Sequence, residues 1–121
     1  MSPYKGKTGL RRVWNAFGYS LAGLRAAYKH EDAFRQEVHL SILLIPLALW
    51  LPVGHIGKVL MIASVLLVII IELLNSAIEA AVDRISLDKH DLAKRAKDIG
   101  SSAVFISMLN VLVTWGLVLT A

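Results

Sequence analysis

The sequence has no cysteine, only three prolines, and charged side chains at just 18% of its 121 positions. The missing cysteine excludes disulfides, thiolate zinc sites and cysteine nucleophiles, and leaves the redox compartment undetermined. Soluble-kinase phosphate loops are missing too. Gly6-Lys7-Thr8 looks like the end of a Walker A loop, but the glycine needed five places earlier falls on Met1, and no G-x-G-x-x-G occurs. Typical soluble domains are about 45–50% apolar, glycine included, and about 25% charged. This chain is 56% apolar without counting glycine, with mean hydropathy +0.62. A helical soluble domain this small has too little interior for so much aliphatic surface. A disordered tail is excluded as well, which leaves a single domain, 1–121, in a bilayer.

Three apolar stretches are present. Val38–Val53 reaches the about 20 residues of a span when Phe34–Glu37 lie at the interface. Pro46 removes a backbone donor there and is expected to kink the helix. Val59–Leu74 continues as an amphipathic helix through NSAIEAAVDRI, and Ile99–Ala121 carries no charged side chain. The expected spans are about 34–53, 57–85 and 97–120. Ahead of them, Leu10, Trp14, Phe17, Leu21, Leu24 and Tyr28 recur at helical spacing, so about 8–30 reads as an amphipathic surface helix. Gly18 and Gly23 weaken that helix in isolation.

Formal charge is +4 with pI near 9.6, a balance that raises the question of nucleic acid. The positions of the charges answer it. Lys5, Lys7, Arg11, Arg12, Arg25, Lys29 and Arg35 precede the first span, Lys58 stands alone in the first turn, and Arg84, Lys89, Lys94, Arg95 and Lys97 lie in the second loop. Basic residues gather in cytoplasmic loops, which predicts a cytoplasmic N-terminus and second loop, with the short turn and the C-terminus outside. Trp50 and Trp115 then fall near the outer interface. Topology and anionic headgroups explain the basic bias, and no nucleic-acid partner is expected. The first apolar run starts too late for a signal peptide.

The second span carries the chemistry. At about 100° per residue, Glu72, Asn75, Glu79 and Asp83 fall within roughly 80° of one another. Glu79 sits near the inner interface and Glu72 roughly 10 Å deeper. A carboxylate at that depth costs at least about 2.5 kcal/mol and is a functional group by default. The bland alternative is a protonated Glu72 hydrogen-bonded to a neighbouring helix. Two carboxylates and an amide suit Mg²⁺, which takes one or two carboxylates and completes its shell with phosphate oxygens. Desolvation makes a carboxylate a stronger proton acceptor. Metal-phosphate near the surface and a proton acceptor deeper down suit phosphoryl transfer to a lipid hydroxyl. The basic loop Lys89–Asp98 suits a nucleotide, although, taken alone, a solvated loop is the simpler reading of such a run. His30 and His90 are weak ligand candidates, and His39 and His55 weaker ones.

Four blocks resemble the small bacterial integral-membrane diacylglycerol kinases, whose relatives phosphorylate undecaprenol. They are FGYS at Phe17–Ser20, GLRAAYKHEDAFRQE at Gly23–Glu37, ELLNSAIEAAVDRI at Glu72–Ile85 and RAKDIGSSAV at Arg95–Val104. The FRQE and NSAIEAAVDRI wording is closer to the diacylglycerol branch. The resemblance implies an all-α membrane protein with three transmembrane helices and a surface helix, forming a homotrimeric bundle with composite sites between subunits. It implies Glu72 as general base, and Glu31 and Glu79 as ligands of Mg²⁺ on ATP. Asn75 orders the site and Asp83 supports it. Arg12, Tyr19, Asp88, Lys89, His90, Lys97 and Asp98 resemble further ATP contacts, although Lys89 departs from the family pattern and is expected to act through its backbone. The lipid is expected along Arg12, Ser20, Arg25, Phe34, Arg35, Gln36, Glu37, Trp50, Ser101 and Trp115.

By the same resemblance the chain is expected in the bacterial inner membrane, with its C-terminus periplasmic. The rival readings are the same chemistry on undecaprenol, a small proton-coupled transporter, and a structural membrane subunit. A transporter needs a pathway to both faces, yet Val59–Ile71 offers only Ser64 as a polar group. The pairs Ser76/Ala80, Ala77/Ala81 and Ala103/Ser107 allow close helix packing without specifying three copies.

Overall fold

A computed structural model describes residues 9–85 and 90–121. It contains four helices: α1 (Gly9–His30), α2 (Asp32–Trp50), α3 (His55–Ile85) and α4 (Asp91–Leu119). Helix α1 passes through Gly18 and Gly23, and α2 continues through Pro46. The α2–α3 turn begins where Leu51 and Pro52 leave helical geometry, with Leu51 extended at φ −62°, ψ 147°. Lys58 closes that turn by donating from Nζ to the carbonyls of Ala48 (3.2 Å), Leu49 (2.6 Å) and Leu51 (2.7 Å). Carbonyls at a helix C-terminus have no intrahelical partner and carry partial negative charge, so an ammonium is well placed there. At the other end of the molecule, His90 starts α4 by accepting from the Leu92 amide at 3.0 Å, and Asp91 occupies the first turn.

Helix α3 is the central element, with α2 and α4 packed along it and α1 touching both α2 and α3. Its 31 residues make a rod of about 46 Å, longer than the about 30 Å of bilayer hydrocarbon. The inner face contributes Met61, Ser64, Val65, Val68 and Glu72 to the interior, against Phe34 and Ala48 of α2 and Gly100 and Ser107 of α4. Gly57 lets α4 approach closely: a Cβ there would lie 2.9 Å from Val118 Cγ1. One cross-helix hydrogen bond reinforces that contact, from Trp115 Nε1 to the Met61 carbonyl at 3.2 Å.

Almost everything else apolar is outside. Leu43, Trp50, Ile56, Ile106 and Leu112 are each more than 60% exposed. Helices α3 and α4 are long and apolar enough to cross a membrane, with mean hydropathy 2.5 and 2.0, yet only 28% and 11% of those segments are buried. The core helix of a soluble protein is mostly buried, so these faces belong against lipid or other helices. The chain is an all-α membrane protein.

Candidate active site

Because α3 is unbroken, the register of its sequence becomes a physical stripe. Exposure grades along it: Glu72 is 4% exposed, Asn75 and Glu79 are half-buried, and Asp83 is open. Glu72 lies within electrostatic reach of Glu37 of α2, Glu79 of α3 and Glu31 at the α1–α2 junction. Three carboxylates from three parts of the chain therefore act on one buried fourth. Like charges so placed repel, and a set of this kind is stable with a cation or shared protons.

The amide of Asn75 aims part of the set. Its Nδ2 donates to Glu79 Oε1 at 3.0 Å, while its Oδ1 is buried with no hydrogen-bond partner. That oxygen faces Gly100 of α4, where any Cβ would be driven into it. Gly100 is thus part of the site although the sequence reading passed over it. Its signal was a glycine inside the RAKDIGSSAV block, where a helix interior otherwise disfavours glycine.

Toward the C-terminal end of α3, Lys97 Nζ pairs with Asp83 Oδ1 at 2.6 Å, clasping α3 to α4. Lys94 pairs with Asp98 Oδ2 at 2.7 Å on α4. Of the other residues tied to nucleotide, Arg12 and Tyr19 are exposed on α1, and His90 is the N-cap of α4. Asp88 and Lys89 lie outside the described residues. Two hollows lie against α3. One, about 720 Å³, separates α1 from α3 and is lined by Ser20, His30 and Glu31 facing Ser76 and Ala80. The other, about 510 Å³, lies between α2, α3 and α4, with Glu37 and Ser41 as its polar residues beside Leu44, Val65, Met108 and Trp115.

The lipid candidates are dispersed. Glu37 and Trp115 line the second hollow and Ser20 the first, whereas Phe34 is only 2% exposed. Arg25, Gln36, Trp50 and Ser101 are exposed. Arg35 is committed to the α1 terminus through the carbonyls of Tyr28 and Lys29 and to the carboxylate of Asp32.

For a divalent ion, the donor chemistry fits. Carboxylate oxygens of Glu31 and Glu79 lie in the same electrostatic cluster, and an unpartnered amide oxygen stands beside Glu79. No group of three or more acidic or histidine ligands is preformed among the described residues. Mg²⁺ asks for no more than one or two carboxylates when phosphates supply the rest.

Helices that belong in lipid, with an acidic seam grading from buried to open, define a membrane-embedded helical protein with a polar candidate site. The family model for prokaryotic diacylglycerol kinase matches residues 18–119. A diacylglycerol kinase of Pseudomonas aeruginosa is 56% identical over 118 residues, covering 98% of this chain and 96% of that protein. The diacylglycerol kinase of Escherichia coli K12 is 52% identical over 112 residues (93% and 92% covered), and that of Helicobacter pylori J99 is 42% identical over 114 (94% and 88%). This chain belongs to the prokaryotic diacylglycerol kinase family.

Proposed function

We propose that the chain transfers the γ-phosphate of ATP to the free hydroxyl of 1,2-diacyl-sn-glycerol, giving phosphatidic acid and ADP, with Glu72 as the general base. The observation that carries the assignment is the burial of Glu72 within electrostatic reach of three further carboxylates, with Glu79 held by Asn75. Glu72 removes the hydroxyl proton as the oxygen attacks the γ-phosphorus. The bond from γ-phosphorus to the β,γ-bridging oxygen breaks, and ADP leaves. Phosphoryl transfer asks mainly for positioning and for neutralisation of spreading negative charge. Glu31 and Glu79 would hold magnesium together with ATP phosphate oxygens, and the bound ion would supply part of that neutralisation. Lys97, already on the cytoplasmic flank beside Asp83, supplies it from the protein side.

Arg12, Tyr19, His90 and Asp98 complete the nucleotide side. On the lipid side Ser20, Gln36, Glu37 and Ser101 meet the glycerol backbone, and the apolar hollow beside Trp115 takes acyl chain. Helix α2 is the third span: its 19 residues rise about 28 Å, near the thickness of the hydrocarbon. The N-terminus and the α3–α4 connection face the cytoplasm of the inner membrane, where ATP is found. The wide exposed apolar faces of a single copy support assembly into a homotrimer with sites shared between neighbours. A transporter reading is disfavoured by Ser64, the polar residue of Val59–Ile71, whose hydroxyl is buried and donates to the Met61 carbonyl.

The test is transfer of ³²P from ATP by reconstituted protein to diacylglycerol and to undecaprenol, with and without Mg²⁺. Diacylglycerol is expected to be the better acceptor, and E72Q to lose turnover while it still assembles and binds ATP. Near-normal turnover by E72Q would falsify the base assignment.

A further inference from the structure

We propose that Arg35 is a positioning residue for Glu31, locking the elbow between the surface helix and α2 rather than contacting lipid. The inference rests on the reading of Glu31 as a carboxylate that meets the metal and the ATP phosphates. Helix α1 ends at His30 and α2 begins at Asp32, so Glu31 is the single residue between them, extended at φ −117°, ψ 109°. A one-residue junction gives its side chain no slack of its own. Wherever α1 tilts relative to α2, Glu31 moves with it.

The tilt is fixed by the next helix reaching back. The last carbonyls of any helix lack intrahelical partners. Here Arg35 Nη1 donates to the Tyr28 carbonyl at 2.8 Å and the Lys29 carbonyl at 2.9 Å, while Nη2 pairs with the Asp32 carboxylate. The guanidinium therefore straddles Glu31, tying the residues before it to the residue after it. A second bolt lies one turn further along α2, where the Tyr28 hydroxyl shares a 2.7 Å hydrogen bond with His39 Nε2 and the rings meet edge to face at 5.8 Å. Both bolts join α1 to α2. Glu31 is left half-buried, lining the hollow beneath α1 and within electrostatic reach of Glu72.

Arginine is suited to this task by its planar fork of donors, whereas lysine offers a compact charge on a flexible stem. With both Nη1 protons spent on backbone and Nη2 on Asp32, the guanidinium faces the protein rather than the acyl chains. Its loss loosens the elbow and lets Glu31 drift from Glu79, which weakens metal and nucleotide binding and leaves the lipid pocket intact.

The experiment compares wild type, R35Q, R35K, E31Q and E31Q/R35Q as full chains in mixed micelles. Half-saturating Mg²⁺ and the KM values for MgATP and diacylglycerol are determined separately, and hydrogen exchange of the amides of residues 24–31 is followed without nucleotide. R35Q is expected to raise half-saturating Mg²⁺ and KM for MgATP about tenfold, the scale of losing a charge-assisted hydrogen bond. KM for diacylglycerol stays within about twofold, exchange of the α1 terminus speeds up, and R35K recovers only part. In the E31Q background R35Q adds nothing further, as expected for two residues acting through one point.

A selective rise in KM for diacylglycerol, or additive effects in the double variant, overturns the positioning role alone. E31Q with wild-type Mg²⁺ dependence overturns the reading of Glu31 and the proposal with it. Should R35Q fail to fold, Y28F removes only the second bolt and is expected to shift Mg²⁺ dependence the same way by about twofold. An unchanged Y28F with unchanged exchange of the α1 terminus overturns the lock.

Discussion

Adding one methyl group at Gly100 tests the geometry of the stripe without touching a charged residue. The Cβ of G100A would be forced into Asn75 Oδ1 and would lie 3.3 Å from Asn75 Cγ. Two relaxations are open. If α3 and α4 move apart, overpacking costs about 1–3 kcal/mol. If Asn75 swings aside instead, its hydrogen bond to the Glu79 carboxylate is lost at a cost of about 1.5–3 kcal/mol. Either is offset by the about 1 kcal/mol that alanine gains over glycine in a helix. The net destabilisation is about 0–2 kcal/mol, small enough for the protein to fold. Function fares worse, because the second route leaves Glu79 free to rotate. We expect kinase turnover to fall at least about tenfold and half-saturating Mg²⁺ to rise, with only a modest loss of thermal resistance in detergent. Gly18, whose Cβ position meets nothing within 4 Å, is the matched control, and G18A is expected to retain activity. Wild-type turnover and Mg²⁺ dependence in G100A would refute the idea that Asn75 orients Glu79.

E79Q is expected to shift the Mg²⁺ requirement upward together with a large loss of rate; unchanged metal dependence would place the phosphates elsewhere. K58M strips the ammonium from the three carbonyls at the end of α2, so its thermal inactivation in detergent is expected at clearly lower temperature, with kcat of surviving enzyme unaltered. W115F keeps the ring but loses the bond to the Met61 carbonyl, a change of about 1 kcal/mol in stability measurable by denaturant titration in micelles.

Some of this was readable before any coordinates. Helical register is a local property, so placing Glu72, Asn75, Glu79 and Asp83 on one face needed only the 3.6-residue turn, and α3 is continuous through all four. The amphipathic period of residues 8–30 depends on the same turn, and α1 occupies Gly9–His30. Contacts between distant segments were not readable. Nothing in the sequence announces that α1 stops one residue before α2, because no proline or glycine marks the junction; the guanidinium of Arg35 does the capping that a glycine ordinarily does. Gly100 looked incidental until α4 was laid beside Asn75. Trp115, expected at the outer interface by its type, is joined to a carbonyl 54 residues away, a pairing that only tertiary packing creates. Helix α4 begins at Asp91, ahead of its apolar stretch, because the side chain of His90 satisfies a first-turn amide.

The unbroken length of α3 makes it a ruler. Glu72 stands about 26 Å along the rod from His55 at the α2–α3 turn, and no loop or hinge in between can adjust that height. With Glu72 as the proposed base, the reactive depth is set by the rise of the helix, and the surrounding lipid has to bring its hydroxyl to that level. Membranes of mismatched thickness must thin, thicken or tilt the rod to do so. Turnover in vesicles of graded tail length should accordingly peak at one thickness and decline on both sides, making the host bilayer itself a regulator of the enzyme's speed.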